Sequence, residues 1–321
     1  MCVTATPLSA TKILKDSASR QPARTTIATS AQVQGLSGGN NHNSNNHHHR
    51  NAGEADRPQQ HTSIMMVRMI GDEFLTEERD RKYYADHYTC CPPPLFIILI
   101  TLVELGFFTY YTVAMGEVNP SGPVPIDSVF IYRPDKRLEL WRFAFYMFLH
   151  AGWLHLLFNL GVQVVVGLPL EMVHGSLRIA AVYMAGVLAG SLGTSVFDTD
   201  VYLVGASGGV YALLAAHLAN VLLNYNNMEF GIVRLIGIFV IASADVGFAI
   251  YDRYAAEQMG PPVSYVAHLT GALAGLTIGL LVLKNFEQRL HEQLLWWVAL
   301  GVYAACTIFA VMYNLMHPDY P

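Results

Sequence analysis

Residues 204–223 read VGASGGVYALLAAHLANVLL, twenty positions without one Asp, Glu, Lys or Arg. A helix that crosses a bilayer needs about 20 mostly apolar residues, so the run Ser207–Leu223 within this stretch predicts a membrane helix. Six more runs of that kind lie to either side: Pro94–Met115, Trp153–Val173, Ile179–Phe197, Phe230–Ile250, Val263–Leu283 and Leu294–Met316. The first connection, Gly116 to Gly152, is long and rich in Pro and aromatics; the others are short. The expected fold class is an all-α polytopic membrane protein. Composition agrees. The 321 residues are 53% hydrophobic and 13% charged, against about 25% charged in soluble domains. Residues 1–93 hold 10 of the 19 Lys and Arg, which describes a polar tail followed by a membrane body. This balance argues against a soluble globular enzyme. With no basic stripe it also excludes a nucleic-acid binder.

Residues 1–63 are rich in Ser, Thr, Asn, Gln and Gly. Such a composition cannot bury enough surface to offset chain entropy and is expected to be a disordered cytosolic tail. Its Asn40–Arg50 tract is Asn/His-rich; His47, His48 and His49 suit a metal, but a solvated biased repeat explains them as well. Lys12, Lys15, Arg20 and Arg24 give a faint likeness to a mitochondrial transit peptide. No cleavable secretory signal is expected at the start. Residues 64–93 form a juxtamembrane segment in which Arg79, Arg81 and Lys82 flank the first run. Cys90 and Cys91 there are candidates for palmitoylation or are plain thiols. The four Cys make no disulfide framework. Basic residues divide 14 to 5 between the two sides of the seven runs, so the N-terminus is expected in the cytosol and the C-terminus outside.

Polar side chains at membrane depth are costly and point to function. The candidates are Glu104, His150, His155, Asn159, Glu171, Ser207, Asp245 and His268. Gly205-Ala206-Ser207-Gly208-Gly209 opens the fourth run. A serine flanked by glycine at a loop-to-helix turn can expose its hydroxyl, and the helix N-terminus adds positive potential for an oxyanion. The same string, taken alone, equally serves close packing of small residues. His268 lies about 8 Å into the sixth run at ~1.5 Å per residue. Gly271 and Gly275 on its face permit close approach of the small-residue surface of run four: Gly208, Gly209, Ala212, Ala215 and Ala216. His155 and Asn159 share a face near the start of run two, where both can donate to an oxyanion or simply fix packing.

Runs two, four and six enter the membrane from one side. His155 with Asn159, Ser207 and His268 therefore fall at one shallow depth on the non-cytosolic face. A nucleophile, a base and oxyanion donors at one depth suit acyl transfer. No acidic residue is an obvious third member. Asp245 reads as structural, and a Ser–His dyad is the simpler expectation. His-Glu-x-x-His and Gly-x-Gly-Asp strings are absent, which disfavours zinc and aspartyl intramembrane proteases. No metal or cofactor is expected.

Several separated motifs together resemble the rhomboid family of intramembrane serine proteases. They are Trp141-Arg142 before run two, the His150/His155/Asn159 set, Glu171 toward the far end of that run, Gly205-Ala206-Ser207-Gly208, and Ala267-His268 with Gly271 and Gly275. The resemblance covers about residues 94–316 and implies a rhomboid-like bundle: a six-helix core at 94–285 plus a seventh helix at 294–316. It implies Ser207 as nucleophile and His268 as general base, with His155, Asn159 and the Gly205–Ser207 turn stabilising the oxyanion. Tyr211 matches a tyrosine that packs on the catalytic histidine, and His150 a structural histidine. The first loop with Trp141-Arg142 looks like the family's membrane-embedded loop. Six spans plus one C-terminal span resemble the animal secretase-type branch. That branch implies the Golgi, another secretory membrane or the plasma membrane, and single-span substrates such as tethered epidermal-growth-factor-like ligands. The tail lacks a D-x-D-x-D-G loop, so the calcium-binding variant is not implied. The competing readings are an inactive relative that binds clients, a mitochondrial rhomboid, and a transporter using Glu104 and Asp245.

Overall fold

The computed structural model describes residues 65–72, 75, 78–87, 93–122, 124–225, 230–254, 264–283 and 290–316. The expectations for residues 1–63 and for Cys90 and Cys91 lie outside the described residues. A short helix at 65–72 and α1 (Glu78–His87) come first. Leu75, between them, is buried in the main core.

The first apolar run forms α2 (Leu95–Met115). It stops at Gly116, whose φ of 72° is left-handed and whose N–H bonds the Thr112 carbonyl; glycine takes that C-terminal conformation without steric cost. After the loop and the short α3 (Arg142–Phe145), the second run is built in three pieces: α4 (Gly152–Val162), a π-helical turn Gln163–Gly167, and α5 (Leu168–His174). Pro169 lies at the start of α5. It has no N–H for the carbonyl one turn back, and a widened turn accommodates the missing bond. Then follow α6 (Ser176–Phe197), α7 (Ser207–Asn224), α8 (Gly231–Tyr254), α9 (Tyr265–Val282) and α10 (Leu290–Met316).

The protein is an all-α polytopic membrane protein. Five of its helical stretches are long and apolar enough to cross a bilayer: Leu95–Met115, Gly152–His174, Ser176–Phe197, Tyr265–Val282 and Leu294–Met316. The other two expected runs are α7, apolar over Ser207–Leu222, and α8. Among the described residues β-structure is limited to two isolated bridges, Asn119–Gly122 and Tyr132–Leu203.

The bundle is centred on α6, α7 and α9, which make the most extensive contacts with one another. Lipid tails are as apolar as leucine, so helices in a membrane associate through close van der Waals contact and interhelical hydrogen bonds. Here small residues supply the contact. A Cβ on Gly186 of α6 would strike Ala212 Cβ and the Gly208 carbonyl. A Cβ on Gly271 or Gly275 of α9 would strike the α7 backbone at Gly208 or Ala212. Gly208 is thus pressed between α6 and α9. Outside this trio, α10 is pinned by Asn314 Nδ2 donating to Ser195 Oγ at 2.7 Å and by the Tyr303 hydroxyl donating to the Ala185 carbonyl at 3.4 Å.

A buried polar knot ties α2 to the rest. Glu104 accepts from the Tyr183 hydroxyl at 2.9 Å and from Gln163 Nε2 at 3.1 Å; Gln163 also donates to Thr101 Oγ1 at 2.8 Å. These bonds satisfy a carboxyl that would otherwise be stranded in hydrocarbon. They also give Glu104 a structural occupation, against its expected alternative use as an ion site.

Candidate functional site

The serine turn begins where the first loop pairs with the strand-like approach to α7. Tyr132 and Leu203 exchange N–H···O bonds of 3.2 and 3.1 Å, and the Gly205 N–H donates to the Tyr146 carbonyl at 3.3 Å. Gly205 has a φ of +108°, and a Cβ there would lie 2.5 Å from His155 Cε1 and 2.8 Å from Nε2. Both the backbone conformation and the imidazole demand glycine. Ser207 then opens α7. The Gly209 and Val210 N–H groups bond back to the Ala206 carbonyl, while those of Ser207 and Gly208 are at the helix start, where no intrahelical acceptor exists. Ser207 is 3% exposed.

His268 lies in the first turn of α9 and is also 3% exposed. Its ring is covered by Tyr211, which stands one turn after Ser207 on the same face of α7. The two rings are stacked with centroids 4.5 Å apart and planes 9° apart. Gly208 meets Gly271 one turn deeper, and Ala212 meets Gly275 below that. The small-residue seam brings the first turns of α7 and α9 together, with Ser207 on one and His268 on the other. No hydrogen bond joins them in this structure, and neither ring nitrogen of His268 has a hydrogen-bond partner.

His155 faces the same turn from α4. Its Nδ1 accepts the Ala151 N–H at 3.4 Å. That assigns the proton to Nε2, on the side turned to Gly205. Asn159, one turn on, donates one amide hydrogen to the His155 carbonyl at 2.8 Å and has a second to offer. His150 packs edge-on against His155, centroids 5.3 Å apart. Neither of its ring nitrogens has a hydrogen-bond partner. It lies before α4, outside the spans. Burial, and then the neighbouring His155, hold it well below the ordinary imidazole range, so it is neutral.

The remaining expected residues are supports at a distance. Arg142 is buried and donates to the Ser128 and Ile131 carbonyls at 3.0 and 2.8 Å, with Nε on Glu139 at 2.6 Å. Trp141, half-exposed, donates to the Val129 carbonyl at 3.1 Å. Together they fold the first loop onto itself. Glu171 accepts from the N–H groups of Phe96 and Ile97 at 2.7 and 2.8 Å and from Ser176 Oγ at 2.5 Å. It caps α2, far from the serine turn in sequence and role.

Near the site, one residue escaped the sequence reading and a second was given a different role. Tyr146 is fully buried; its hydroxyl donates to the Val187 carbonyl at 2.8 Å and lies where side chains on Gly190 or Gly208 would collide with it. Asp245, read above as structural, is on α8 with Oδ2 3.4 Å from His268 Nδ1. That puts a carboxylate beside His268, where the sequence showed no obvious acidic third member. The sequence marked Asp245 as a polar residue at membrane depth but not its partner, since the rotation of α8 about its axis decides which face meets α9.

A hydroxyl at a helix N-terminus, an imidazole on the abutting helix and a second imidazole across the turn are suited to acyl transfer. Among the described residues no group of three or more His, Cys, Asp or Glu could hold a metal ion. Residues 137–285 match the Rhomboid domain family model. The chain is 46% identical to Rhomboid-related protein 2 of Mus musculus over 253 residues, 78% of this chain and 84% of that protein. The chain belongs to the rhomboid family. This rhomboid is also 44% identical to Rhomboid-related protein 3 of Homo sapiens over 259 residues, which is 79% of this chain but 64% of that protein. It thus spans a little under two thirds of the human relative. A third rhomboid, Inactive rhomboid-related protein 2 of Caenorhabditis elegans, is 35% identical over 66% of this chain and 61% of its own length. Membership alone therefore leaves activity to the site.

Proposed function

We propose that this rhomboid is an intramembrane serine endopeptidase that cuts single-span membrane proteins near the non-cytosolic end of their helix. Ser207 Oγ attacks the scissile carbonyl while His268 Nε2 takes its proton. The oxyanion is held by His155 Nε2–H, the free amide hydrogen of Asn159 and the N–H groups at the start of α7, with Gly205 keeping that space open. His268 returns the proton to the leaving amine. Water, deprotonated by His268, then attacks the acyl carbonyl, and His268 returns that proton to Ser207 Oγ as the ester bond breaks. The observation that carries this reading is the α7–α9 crossing at Gly208 and Gly271, which supports a Ser207–His268 pairing beneath the Tyr211 stack.

Ser207 and His268 are each 3% exposed, so substrate and water enter only when a neighbouring element parts. Helix α8 is the candidate, because it leans chiefly on α7 and otherwise reaches the centre at the Asp245–His268 contact. The substrate helix must also unwind locally to expose a peptide bond. The surrounding assignments belong to the same reading: a cytosolic tail at 1–63, a six-helix core at 94–285, a seventh helix at 294–316, residence in a Golgi, other secretory or plasma membrane, and epidermal-growth-factor-like ligands among the substrates.

The test is labelling with a serine-reactive fluorophosphonate alongside cleavage of a co-expressed single-span protein. Wild type should label and cleave; Ser207→Ala and His268→Ala should do neither while keeping their fold. Cleavage by Ser207→Ala would overturn the assignment. A second reading, client binding without cleavage, is favoured by the name of the inactive relative. It predicts a wild type that captures single-span clients but neither labels nor cuts them.

A further inference from the structure

We infer that Asp245 on α8 is the positioning carboxylate of His268, selecting the ring tautomer that lets Nε2 act as base; this deepens the serine-protease reading and rests on it. Asp245 Oδ2 is 3.4 Å from His268 Nδ1. The two residues are 6% and 3% exposed. Neither atom has a hydrogen-bond partner, and the 3.4 Å approach between them is a contact one small ring or carboxylate rotation short of a hydrogen bond. A buried carboxylate oxygen and a buried ring nitrogen each carry a desolvation penalty when left alone. Facing each other inside a membrane protein, they have one favourable arrangement: Nδ1–H donating to the carboxylate.

The other groups around the ring do not compete for Nδ1. Tyr211 covers its face; the Tyr211 hydroxyl donates to the Ala242 carbonyl at 3.1 Å, one turn before Asp245 on α8, and also lies against the Asp245 carboxylate, on which it leaves Oδ2 to face His268. His155 lies across the serine turn against Gly205. Helix α8 therefore reaches the Tyr211–His268 stack at two successive turns, once through Ala242 and once through Asp245.

The consequence for the proton is specific. With Nδ1 protonated, Nε2 presents its lone pair toward α7 and accepts the Ser207 proton. The imidazolium so formed carries hydrogen on both nitrogens and is paired with the Asp245 carboxylate, which stays ionised throughout. The Nε2 proton then passes to the leaving amine and the ring returns to its starting tautomer. The orienting contact comes from a helix outside the α6–α7–α9 centre.

The experiment uses the full chain in proteoliposomes with a single-span fluorogenic substrate. Asp245→Asn should lower kcat roughly 100-fold, the low end of an oriented general base's contribution, with KM and thermal midpoint unchanged. The fluorophosphonate labelling rate should fall by the same factor, and Asp245→Glu should recover part of both. A folded Asp245→Asn protein with wild-type kcat overturns the inference. So does a loss of kcat that only tracks a loss of thermal midpoint. Should Asp245→Asn not fold, the ring nitrogen shifts of His268 in wild-type protein decide: protonated Nδ1 with bare Nε2 supports the inference, and the reverse overturns it. Ser207→Ala is run in parallel. Cleavage by that variant would remove the protease reading itself, whereas the tautomer measurement does not depend on cleavage at all.

Discussion

The phenol ring of Tyr211 lies flat on the imidazole of His268, planes 9° apart, while its hydroxyl donates to the Ala242 carbonyl of α8 at 3.1 Å. The stack and the hydrogen bond are separable. Tyr211→Phe retains the ring and loses the bond; Tyr211→Ala loses both. An aromatic stack contributes about 0.5–1.5 kcal/mol beyond its buried area. We expect kcat/KM for a single-span substrate to stay within about twofold in the Phe variant and to drop about tenfold or more in the Ala variant. Equal losses in the two would transfer the effect from the ring to the α8 bond.

The α7–α9 seam leaves no space for even one methyl group. A Cβ on Gly275 would run into the Ala212 carbonyl and Cα. These are backbone atoms, which cannot swing aside as a flexible side-chain end would. Gly275→Ala should therefore lower the thermal midpoint in detergent by the equivalent of about 1–3 kcal/mol or more, the usual result of overpacking. Gly301→Ala on α10 is the control, because a Cβ there meets nothing within 4 Å. It should be neutral or stabilising by roughly 0.5–1 kcal/mol, the helix preference of Ala over Gly. Matching midpoints for the two variants would contradict the seam.

The contrast between these residues explains what a linear sequence discloses. Gly271 and Gly275 were legible because helical spacing alone puts them on the face that carries His268, and close approach needs no further knowledge. The Ser207 turn was legible because a serine flanked by glycines at a loop-to-helix turn can expose its hydroxyl; the positive φ of Gly205 and its approach to His155 appear only in the fold. Asp245 was not, because its meeting with His268 depends on how α8 turns about its own axis and leans on α7. Tyr146 was hidden for a related reason. Its hydroxyl acts between Gly190 and Gly208 only after an irregular loop has folded back under the bundle, and no periodicity encodes that path. The π-helical turn at Gln163–Gly167 was also unannounced. It shows itself through Pro169 and the Glu104–Gln163–Tyr183 knot only once the helices are assembled.

The first loop should depend on Arg142 as a fork rather than as a charge. One terminal nitrogen serves two buried carbonyls, Ser128 and Ile131, while Nε holds Glu139. Lysine offers a single ammonium that cannot span this geometry. In Arg142→Lys at least one carbonyl is left unsatisfied, at about 1–3 kcal/mol. Amide exchange should accelerate across residues 128–131, with helical content unchanged by circular dichroism. Wild-type exchange rates in that stretch would show that the fork is dispensable.

His150 makes the stability of this protein sensitive to acid. It is buried, with neither ring nitrogen hydrogen-bonded, and its folded-state pKa is held well below the ordinary value of 6.5, first by burial and then by His155. The unfolded chain therefore takes up the proton before the folded chain does. Stability is complete above the unfolded value and declines as pH falls below it toward the folded one. One such proton accounts for up to about 1.4 kcal/mol per pH unit in that window. The thermal midpoint of wild type should fall between about pH 7 and about pH 5, while His150→Leu, which removes the titrating ring and leaves no polar atom to bury, should show a shallower decline. Every other ionisable group is common to both proteins, so the difference between the two curves reports His150 together with its coupling to His155. Superimposable curves would mean that His150 is already protonated in the folded protein, or that solvent reaches it, and the neutral buried ring packed against His155 would have to be abandoned.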